Sequence, residues 1–485
     1  MTSATKPQGP SVRDVTDLAA ITGADGVLAG KDMQSYVTGI RYGQGKALCV
    51  VRPATGEQVS RIVALCVERH IGIVPQGANT GLVGASVPDA SGRQVLLSLE
   101  RLRGGFELDL PNRSVTVDAG MRLQELNARL ESHGLWFPID LGADPSIGGM
   151  IATNAGGTRL IRYGDVRHNL MAVEVVLFNP PGQRVRLGSP LRKDNTGWDL
   201  KQLFIGASGT TGIITRATLE VHPRPRQSAT ALVVPASEAA VNGLLAALEA
   251  DFGDYLAAFE GMSGAAMHAA IDHIPNVRNP FAPDPAPEFA VLIELEAGSP
   301  RYTGFDLQDV LDRFLADQYE ATVSNAVVGG RADLWHLRHG ITEGARNLGR
   351  IVAFDISVAR SRIMEFRRAA RALVEREFPH LTIIDFGHIA DGGLHFNLVW
   401  PRESPAEYSA EAVRKLRMAI YALVVEQFGG SFSAEHGIGP HNVAVYEKYT
   451  SDTARWMAHG IKQLLDPLAL CGAVDFGAHA ARSEP

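Results

Sequence analysis

The sequence predicts an α+β protein with two domains, and three observations lead to this prediction. Its 485 residues are too many for one hydrophobic core and fit two or three domains at roughly 150 residues each. Short apolar strands alternate with helices as far as Pro223 and Pro225, which mark a boundary. Beyond these prolines the elements become longer, so we predict a second domain whose sheet is covered by helices.

Residue periodicity assigns the elements of the first domain. Strands are predicted at Ala47–Val51, Ile71–Val74, Val95–Leu99, Phe106–Leu110, Ser114–Val117, Ala172–Phe178 and Ile213–Val221. Helical spacing places Val59, Ile62, Val63 and Cys66 on one face of a helix, and Leu123, Leu126 and Leu130 on a face of the next. The strand at Ile71–Val74 runs directly into a glycine-rich loop.

The second domain has fewer predicted elements. They are strands at Ala231–Val234, Phe289–Leu295, Thr322–Val328 and Val352–Ile356, and helices at Glu238–Ala250, Leu307–Ala316 and Ser361–Phe378. Five prolines in residues 275–287 predict an irregular connection. We expect an N-terminal extension with a helix (1–44), a first domain (45–224), a second domain (225–430) and a C-terminal segment (431–485) that returns to the first domain.

Charge and cysteine content exclude several classes of function. The net charge of −7 and the pI near 6.1 argue against nucleic-acid binding, which needs a basic surface. Cys49, Cys66 and Cys471 show no CxxC spacing, which excludes a disulfide scaffold and a thiolate zinc site. The sequence shows no secretory signal and no run of about 18 apolar residues, so we expect a cytoplasmic protein without a transmembrane segment.

Three glycine-rich segments predict a site for a long anionic ligand. The first reads PQGANTGLVGAS over residues 75–86. The second reads DPSIGG at 144–149 and ATNAGG at 152–157, and the third reads GASGTTGII at 206–214. One glycine-rich turn alone is more often structural, but glycines also let successive backbone N–H groups converge on a phosphate. Three separated loops suit a diphosphate ligand that must be enclosed.

A predicted hairpin brings two histidines together. Residues 386–397 read FGHIADGGLHFN, and the ADGG stretch is typical of a hairpin loop. With the loop at Ala390–Gly393, His388 pairs with His395, and Asn397 shares their face of the sheet. Two imidazoles held in this way can chelate a divalent ion if a third ligand is available.

A candidate third ligand lies in SAEHGIG at residues 433–439. Glu435 would complete a His2Glu set with open positions for a substrate, while His436 would stay free as a base. This ligand set suits zinc, with manganese or iron as alternatives. A cross-strand histidine pair is often only a solvated ladder, so the residues alone leave a site without metal open.

The three glycine-rich segments, in this order, resemble the FAD-binding domain of the vanillyl-alcohol oxidase family over about residues 45–224. The resemblance implies a two-subdomain FAD-binding fold of the p-cresol methylhydroxylase (PCMH) type, followed by an α+β substrate (cap) domain with an antiparallel sheet. The implied FAD contacts are Pro75, Gln76, Gly77, Ala78, Asn79, Thr80, Gly81, Gly84, Ser86, Asp144, Ser146, Gly149, Thr153, Asn154, Gly209, Gly212 and Ile214. Since residues 75–86 contain no His or Cys to tether a flavin, we predict non-covalent FAD.

The segments FGHIADGGLHFNL and GGSFSAEHGIG resemble the C-terminal signatures of the D-lactate and D-2-hydroxyglutarate dehydrogenase branch of this family. The resemblance implies a metal-binding flavoprotein, a dehydrogenase that oxidises a D-2-hydroxy acid to the 2-oxo acid. The implied roles are metal binding by His388, His395 and Glu435, proton abstraction by His436, and substrate binding by Arg338, Thr342 and Asn397. The planar guanidinium of an arginine suits a substrate carboxylate.

The sequence departs from this branch at cationic positions. Members that oxidise 2-hydroxyglutarate usually carry lysine where this chain has Ala353, and a lysine is also common where Asn442 stands. We therefore expect a monocarboxylate, D-lactate or a larger acid with an uncharged tail, and keep D-2-hydroxyglutarate as the alternative substrate. The segment Cys471–Val474 replaces the Asn-Pro-Gly-Lys of the family, which affects the expected C-terminal contact with the flavin.

Two rival functions and the electron acceptor stay open. A metal-dependent hydrolase could use the same His2Glu set, although it would leave the glycine-rich loops without a purpose, and a flavin-binding protein without turnover is the other rival. A quinone, a cytochrome, an electron-transferring flavoprotein or oxygen could reoxidise the flavin. A homodimer and a peripheral association with a membrane are both compatible with the sequence.

Overall fold

The computed structural model describes residues 11–404 and 406–477. The first ten and last eight residues, which belong to the expected N-terminal extension and C-terminal segment, lie outside this description. The helix expected in the extension is Val12–Thr22. The fold is the α+β arrangement expected from the sequence, with sheets in both domains and helices packed against them.

Two sheets form the first domain. The smaller has the spatial order Val27–Leu28, Cys49–Val51, Val95–Ser98 and Ile73–Gln76, and the last three strands pair in parallel. The larger is antiparallel, in the order Phe106–Asp109, Ser114–Asp118, Ile213–Glu220, Leu170–Val176 and Arg184–Gly188. The pair Leu135–Trp136 and His222–Pro223 forms a separate short ribbon.

Helices bury the apolar faces of these sheets. They are Gly56–Glu68, Leu123–Glu131, Ile147–Thr153, Leu160–Tyr163 and Val166–Asn169. The first of them begins after Thr55, whose side chain accepts a hydrogen bond from the Gln58 N–H. The predicted apolar faces of the first two are buried, because each packs on the sheets as its spacing indicates.

One large antiparallel sheet forms the second domain. Its spatial order is Val323–Val328, Gln227–Pro235, Phe289–Ala297, Leu256–Ser263, Thr382–Gly387, Gly393–Pro401 and Gly349–Val352, with Asp355–Ser357 also paired to Gly393–Pro401. Helices Ala240–Phe252, Leu307–Asp317, Ile363–Glu377 and Ala410–Ala422 cover one face. Helices Gly264–His273 and Arg331–Leu348 cover the other.

Two strands of this sheet differ from the sequence prediction. The predicted strand Val352–Ile356 is wrong as a single element, because it is divided into Gly349–Val352 and Asp355–Ser357, which pair with successive parts of the same neighbour. The strand Leu256–Ser263 is absent from the prediction, although all eight of its residues are buried. Its alanines and the charged Glu260 hide the strand pattern.

A close contact between two helices fixes the position of the helix Arg331–Leu348. A Cβ on Gly344 of Arg331–Leu348 would lie 2.0 Å from the carbonyl oxygen of Ala269 on the neighbouring helix. Only glycine allows this approach. The helix is therefore pressed onto Gly264–His273 along one side, and its opposite side is free to face the first domain.

The C-terminal segment contacts the first domain after helices Val443–Tyr449 and Asp452–Leu465. The Ile73 N–H donates to the Leu470 carbonyl at 2.7 Å, and the Gly472 N–H donates to the Ile73 carbonyl at 2.8 Å. The buried Lys462 also ties this segment down, because its Nζ donates to the Thr210 carbonyl at 2.7 Å. Among the described residues, no helix combines the length and apolar character that a membrane span requires.

Candidate active site

A cavity of about 960 Å³ lies between the two domains and is lined by all three glycine-rich segments. The predicted FAD contacts on its wall are Pro75, Gln76, Gly77, Ala78, Asn79, Thr80, Gly81, Ser86, Asp144, Ser146, Gly149, Thr153, Gly209, Gly212 and Ile214. The other two, Gly84 and Asn154, are not part of this lining within the described chain. Asn154 instead ends a helix at φ 52°, where its side chain donates to Asp165.

The shape of the glycine-rich wall fits FAD. A Cβ on Gly77 would lie 2.0 Å from the Ser146 Oγ, so the first two segments can touch only because residue 77 has no side chain. A Cβ on Gly81 would meet no atom within 4 Å, which leaves its backbone open to a ligand. The buried Gln76 holds the loop closed by donating to the Ser86 carbonyl at 2.9 Å. The cavity volume lies at the upper end of the range for ligand sites, as a dinucleotide needs.

The histidine hairpin has a different register from the predicted one. His395 pairs with Phe386, so the predicted pairing of His388 with His395 is wrong. The strand ends at Gly387, whose φ of 146° lets the chain turn earlier than the ADGG stretch indicates. His388 therefore lies just beyond the end of the strand, but its ring still lies close to that of His395. Their ring centroids lie 5.3 Å apart.

Three predicted metal ligands converge on the cavity. His388, His395 and Glu435 each present one ligand atom, and these atoms lie within 4.8 Å of one another. The His388 Nε2 is 3.5 Å from the Glu435 Oε1, which also accepts a hydrogen bond of 3.2 Å from the Gly157 N–H. The second glycine-rich segment therefore meets the histidine hairpin at Glu435. Two imidazoles and a carboxylate at this spacing fit a divalent metal.

A buried glutamate, Glu260, contacts the candidate metal ligand His388 on the side of the ring away from Glu435, and the sequence patterns do not reveal it. Glu260 accepts hydrogen bonds of 2.6 Å from the His388 Nδ1 and 2.8 Å from the Arg338 Nε, and it forms an ion pair of 2.6 Å with the Arg338 Nη2. Burial raises the pKa of Glu260, but the charges of His388 and Arg338 outweigh burial and bring the pKa to about 2. A carboxylate on the far nitrogen of a metal-binding histidine fixes the ring and its tautomer. The available signal was one acidic residue in the apolar run 256–262.

His436 lies next to a second buried carboxylate. The His436 Nδ1 is 3.6 Å from the Oδ2 of Asp355, and that oxygen accepts the backbone N–H groups of Glu435 and His436 at 2.9 and 2.8 Å. Burial raises the pKa of Asp355, yet His436, His395 and the two N–H groups lower it overall. Asp355 therefore stays ionised and can orient the His436 ring. It pairs with His395 across the sheet, which its position in a mispredicted strand concealed.

All three predicted substrate residues, Arg338, Thr342 and Asn397, line the cavity together with His436. The guanidinium of Arg338 lies 4.6 Å from the centroid of the Phe386 ring. Its Nε donates to Glu260 and its Nη2 forms an ion pair with the same carboxylate, so within the described part of the chain Nη1 is the nitrogen left for a ligand. A cavity large enough for a flavin is therefore lined by an arginine with one nitrogen left for an anion, by a candidate set of metal ligands and by a histidine that could act as a base. This combination defines a candidate flavoprotein oxidoreductase.

Comparisons with known proteins agree with this class. A family model described as an FAD-binding domain matches residues 47–188, and one described as the C-terminal domain of FAD-linked oxidases matches residues 224–473. A probable mitochondrial D-2-hydroxyglutarate dehydrogenase of Oryza sativa subsp. japonica is 32% identical over 459 residues, 94% of this chain and 80% of the relative. A D-2-hydroxyglutarate dehydrogenase of Xanthomonas citri pv. viticola is 33% identical over 432 residues, 87% of each protein.

A solved structure shows the same fold at low sequence identity. The crystal structure of p-cresol methylhydroxylase with substrate bound matches with a TM-score of 0.72 and 18% identity, over 94% of both chains. The chain belongs to the vanillyl-alcohol oxidase family of FAD-linked oxidoreductases, in the branch of the D-2-hydroxyglutarate dehydrogenases. It is an FAD-dependent dehydrogenase of the 2-hydroxy-acid class, and the resemblance, the fold class and the FAD prediction are confirmed.

Proposed function

We propose that this protein oxidises a D-2-hydroxy acid to the 2-oxo acid with the help of a divalent metal held by His388, His395 and Glu435. One observation carries the proposal: the three ligand atoms lie within 4.8 Å of one another on the wall of the cavity that the FAD-binding segments also line. The names of the relatives, D-2-hydroxyglutarate dehydrogenases, support the hydroxy-acid substrate.

Each residue of the site has a separate role in the proposed reaction. Oxidation at C2 removes a proton from the hydroxyl and a hydride, which carries both electrons, from the carbon; when bound, FAD would supply the acceptor for the hydride and the metal a Lewis acid for the hydroxyl. Arg338 and Thr342 bind the substrate carboxylate, and Asn397 holds it from the strand beside His395. His436 removes the proton of the 2-hydroxyl, and Asp355 keeps its ring in place.

A second ligand set overlaps the first and gives a rival metal position. Asp355, His395 and His436 also present ligand atoms within 4.8 Å of one another. We favour the set with His388, because its Nδ1 is bound by Glu260 and its Nε2 faces Glu435, the arrangement that metal-binding histidines adopt. The Oδ2 of Asp355 already accepts two backbone hydrogen bonds. In this arrangement His436 stays free to act as the base.

Two single variants test the base and the ligand set together. His436→Ala should retain FAD and metal but lose at least about 100-fold in the rate of flavin reduction by substrate, the usual scale for a general base. His388→Asn should lose metal while FAD stays bound. The measurements are metal analysis of the purified variants and stopped-flow flavin absorbance without oxygen. If His436→Ala loses metal instead, the rival set is occupied, and a wild-type reduction rate in that variant would contradict the base assignment.

A further inference from the structure

Two arginines on the cavity wall lack an ion pair within the part of the chain that the structure describes. Arg41 comes from the segment before the first glycine-rich loop and is half-buried, and Arg346 is exposed on the helix Arg331–Leu348. Both line the same cavity as the metal ligands. Within residues 11–404 and 406–477, neither guanidinium forms an ion pair or a hydrogen bond with a carboxylate. The domain interface thus presents two uncompensated positive charges to a ligand.

The position of Arg346 follows from helix geometry. Arg338, Thr342 and Arg346 follow one another at intervals of four residues. They therefore lie along one side of the helix, and this side faces the cavity. The first two are the proposed contacts of the substrate carboxylate. Each step of four residues advances roughly 6 Å along a helix axis, and a flexible arginine can reach back over part of this distance. That spacing suits the two ends of a short dicarboxylic acid.

Further cationic groups lie near Arg41. Burial lowers the pKa of Arg41, and the charges of Arg346 and Arg417 lower it further, while Tyr42 and Asp355 act in the opposite direction. Within the described chain, the hydrogen bonds of Arg417 go to uncharged acceptors, namely the Ala353 carbonyl at 3.2 Å and the hydroxyls of Tyr42 and Tyr421. His441 stacks on Tyr42 with ring centroids 3.5 Å apart, and its pKa is lowered to about 4 by burial and then by Arg417 and Arg41.

The acidic groups near this region leave the charge uncompensated. Asp355 is committed to two backbone N–H groups and to the neighbouring histidines. Glu343 lines the cavity but is exposed on the helix, and no ion pair joins it to Arg346 or Arg41 in the described part of the chain. A bound anion would relieve the mutual repulsion of the arginines, whereas an apolar substrate tail would leave it in place.

We propose that Arg41 and Arg346 are specificity-determining residues that bind a carboxylate at the far end of the substrate. The inference rests on the proposed function and names its substrate class as D-2-hydroxy acids with a second, distal carboxylate. The two arginines supply the cation that Ala353, on the same cavity wall, cannot supply. This inference replaces the sequence-based expectation of an uncharged tail.

A matched pair of substrates tests the inference. D-2-hydroxyglutarate and D-2-hydroxyvalerate have the same number of carbons and differ in the distal carboxylate. For the wild-type holoenzyme we expect kcat/KM to be at least about 30-fold higher for the dicarboxylate, the scale of one or two charge-assisted hydrogen bonds. In Arg346→Gln and in Arg41→Gln this ratio should fall at least about tenfold, and Arg346→Lys should restore part of it. Arg61→Gln, an exposed arginine on a helix of the first domain, is the matched control and should keep the wild-type ratio.

Product binding gives a second readout that does not need turnover. 2-Oxoglutarate should perturb the flavin absorbance at lower concentration than 2-oxovalerate in the wild type, and the two arginine variants should lose this difference. A wild-type ratio near one, or an unchanged ratio in FAD-loaded Arg346→Gln and Arg41→Gln, overturns the inference and leaves the proposed function standing. If neither hydroxy acid reduces the wild-type flavin, the proposed function fails and the inference fails with it.

Discussion

Replacing Glu260 by glutamine would remove the negative charge that lies between Arg338 and His388 while keeping the shape of the side chain. Glu260 makes three polar contacts of 2.6 to 2.8 Å, two hydrogen bonds and one further ion-pair contact, all with groups that are cationic when protonated. Both Arg338 and Glu260 are buried, with side chains 7% and 1% exposed, so solvent cannot replace the lost charge. The variant therefore isolates the electrostatic contribution of this carboxylate.

The expected losses of folding stability and metal affinity follow from the groups that the substitution leaves without a carboxylate. Arg338 would stay in the interior without a counter-ion, which typically costs about 3 to 5 kcal/mol of folding free energy. His388 would lose the carboxylate that orients its ring, and such a loss typically weakens metal binding about 10- to 100-fold. We expect both effects in Glu260→Gln. Glu249→Gln, which breaks the exposed ion pair with Arg360, should change the free energy of unfolding by less than about 1 kcal/mol and leave metal affinity unchanged.

Two assays measure these effects. Competition with a chromophoric chelator gives the metal affinity, and denaturant unfolding followed by far-UV circular dichroism gives the stability of the same preparations. The reasoning is refuted if Glu260→Gln binds metal within twofold of the wild type and unfolds at the same denaturant concentration. Lost stability with unchanged metal affinity would instead mean that Glu260 serves Arg338 alone.

Three further outcomes follow from the structure. Gly77→Ala should weaken FAD binding at least about tenfold, because its Cβ would lie 2.0 Å from the Ser146 Oγ; Gly460→Ala, whose Cβ meets nothing within 4 Å, is the control, and FAD content after desalting is the measurement. Lys462→Met should destabilise the protein by about 3 to 5 kcal/mol in denaturant unfolding, because it leaves the buried Asp466, 2.7 Å from Nζ, without its partner; an unchanged midpoint would contradict this. Burial raises the pKa of Cys49, Cys66 and Cys471 to about 12, so a thiol reagent at pH 8 should label none of them in the native protein and all three in guanidinium; rapid labelling of the native protein would show that they are accessible.

Sequence patterns correctly predict the features that depend on neighbouring residues, such as a helix with an apolar face or a glycine-rich loop. The helix Gly56–Glu68 shows helical spacing of Val59, Ile62, Val63 and Cys66, and all four are buried. The glycine-rich loops are visible because their backbone must approach another segment or a ligand, as Gly77 approaches Ser146. These features depend on residues close together in the sequence.

Features that depend on distant contacts are not predicted. Glu260 lies on the strand Leu256–Ser263, 128 residues from His388 in the sequence, and no local pattern predicts their hydrogen bond. Asp355 lies opposite His395 only because a short strand adds to the edge of the hairpin. Arg41 comes from the N-terminal extension and Arg346 from the second domain, so each arginine alone resembles an ordinary surface residue. The register of the hairpin could not be predicted either, because the chain turns at Gly387, before the ADGG stretch that signals a turn in the sequence.

The most direct test of the central claim is anaerobic bleaching of the flavin by D- and L-2-hydroxyglutarate, measured on three preparations: as purified, after removal of metal by a chelator, and after addition of zinc. We predict rapid bleaching by the D enantiomer in the first preparation, loss of at least about 100-fold in rate after chelation, and recovery with zinc, with no comparable reaction of the L enantiomer. Bleaching by the D enantiomer at the same rate after complete removal of metal would contradict metal-assisted oxidation, and preferential bleaching by the L enantiomer would contradict the assigned substrate class.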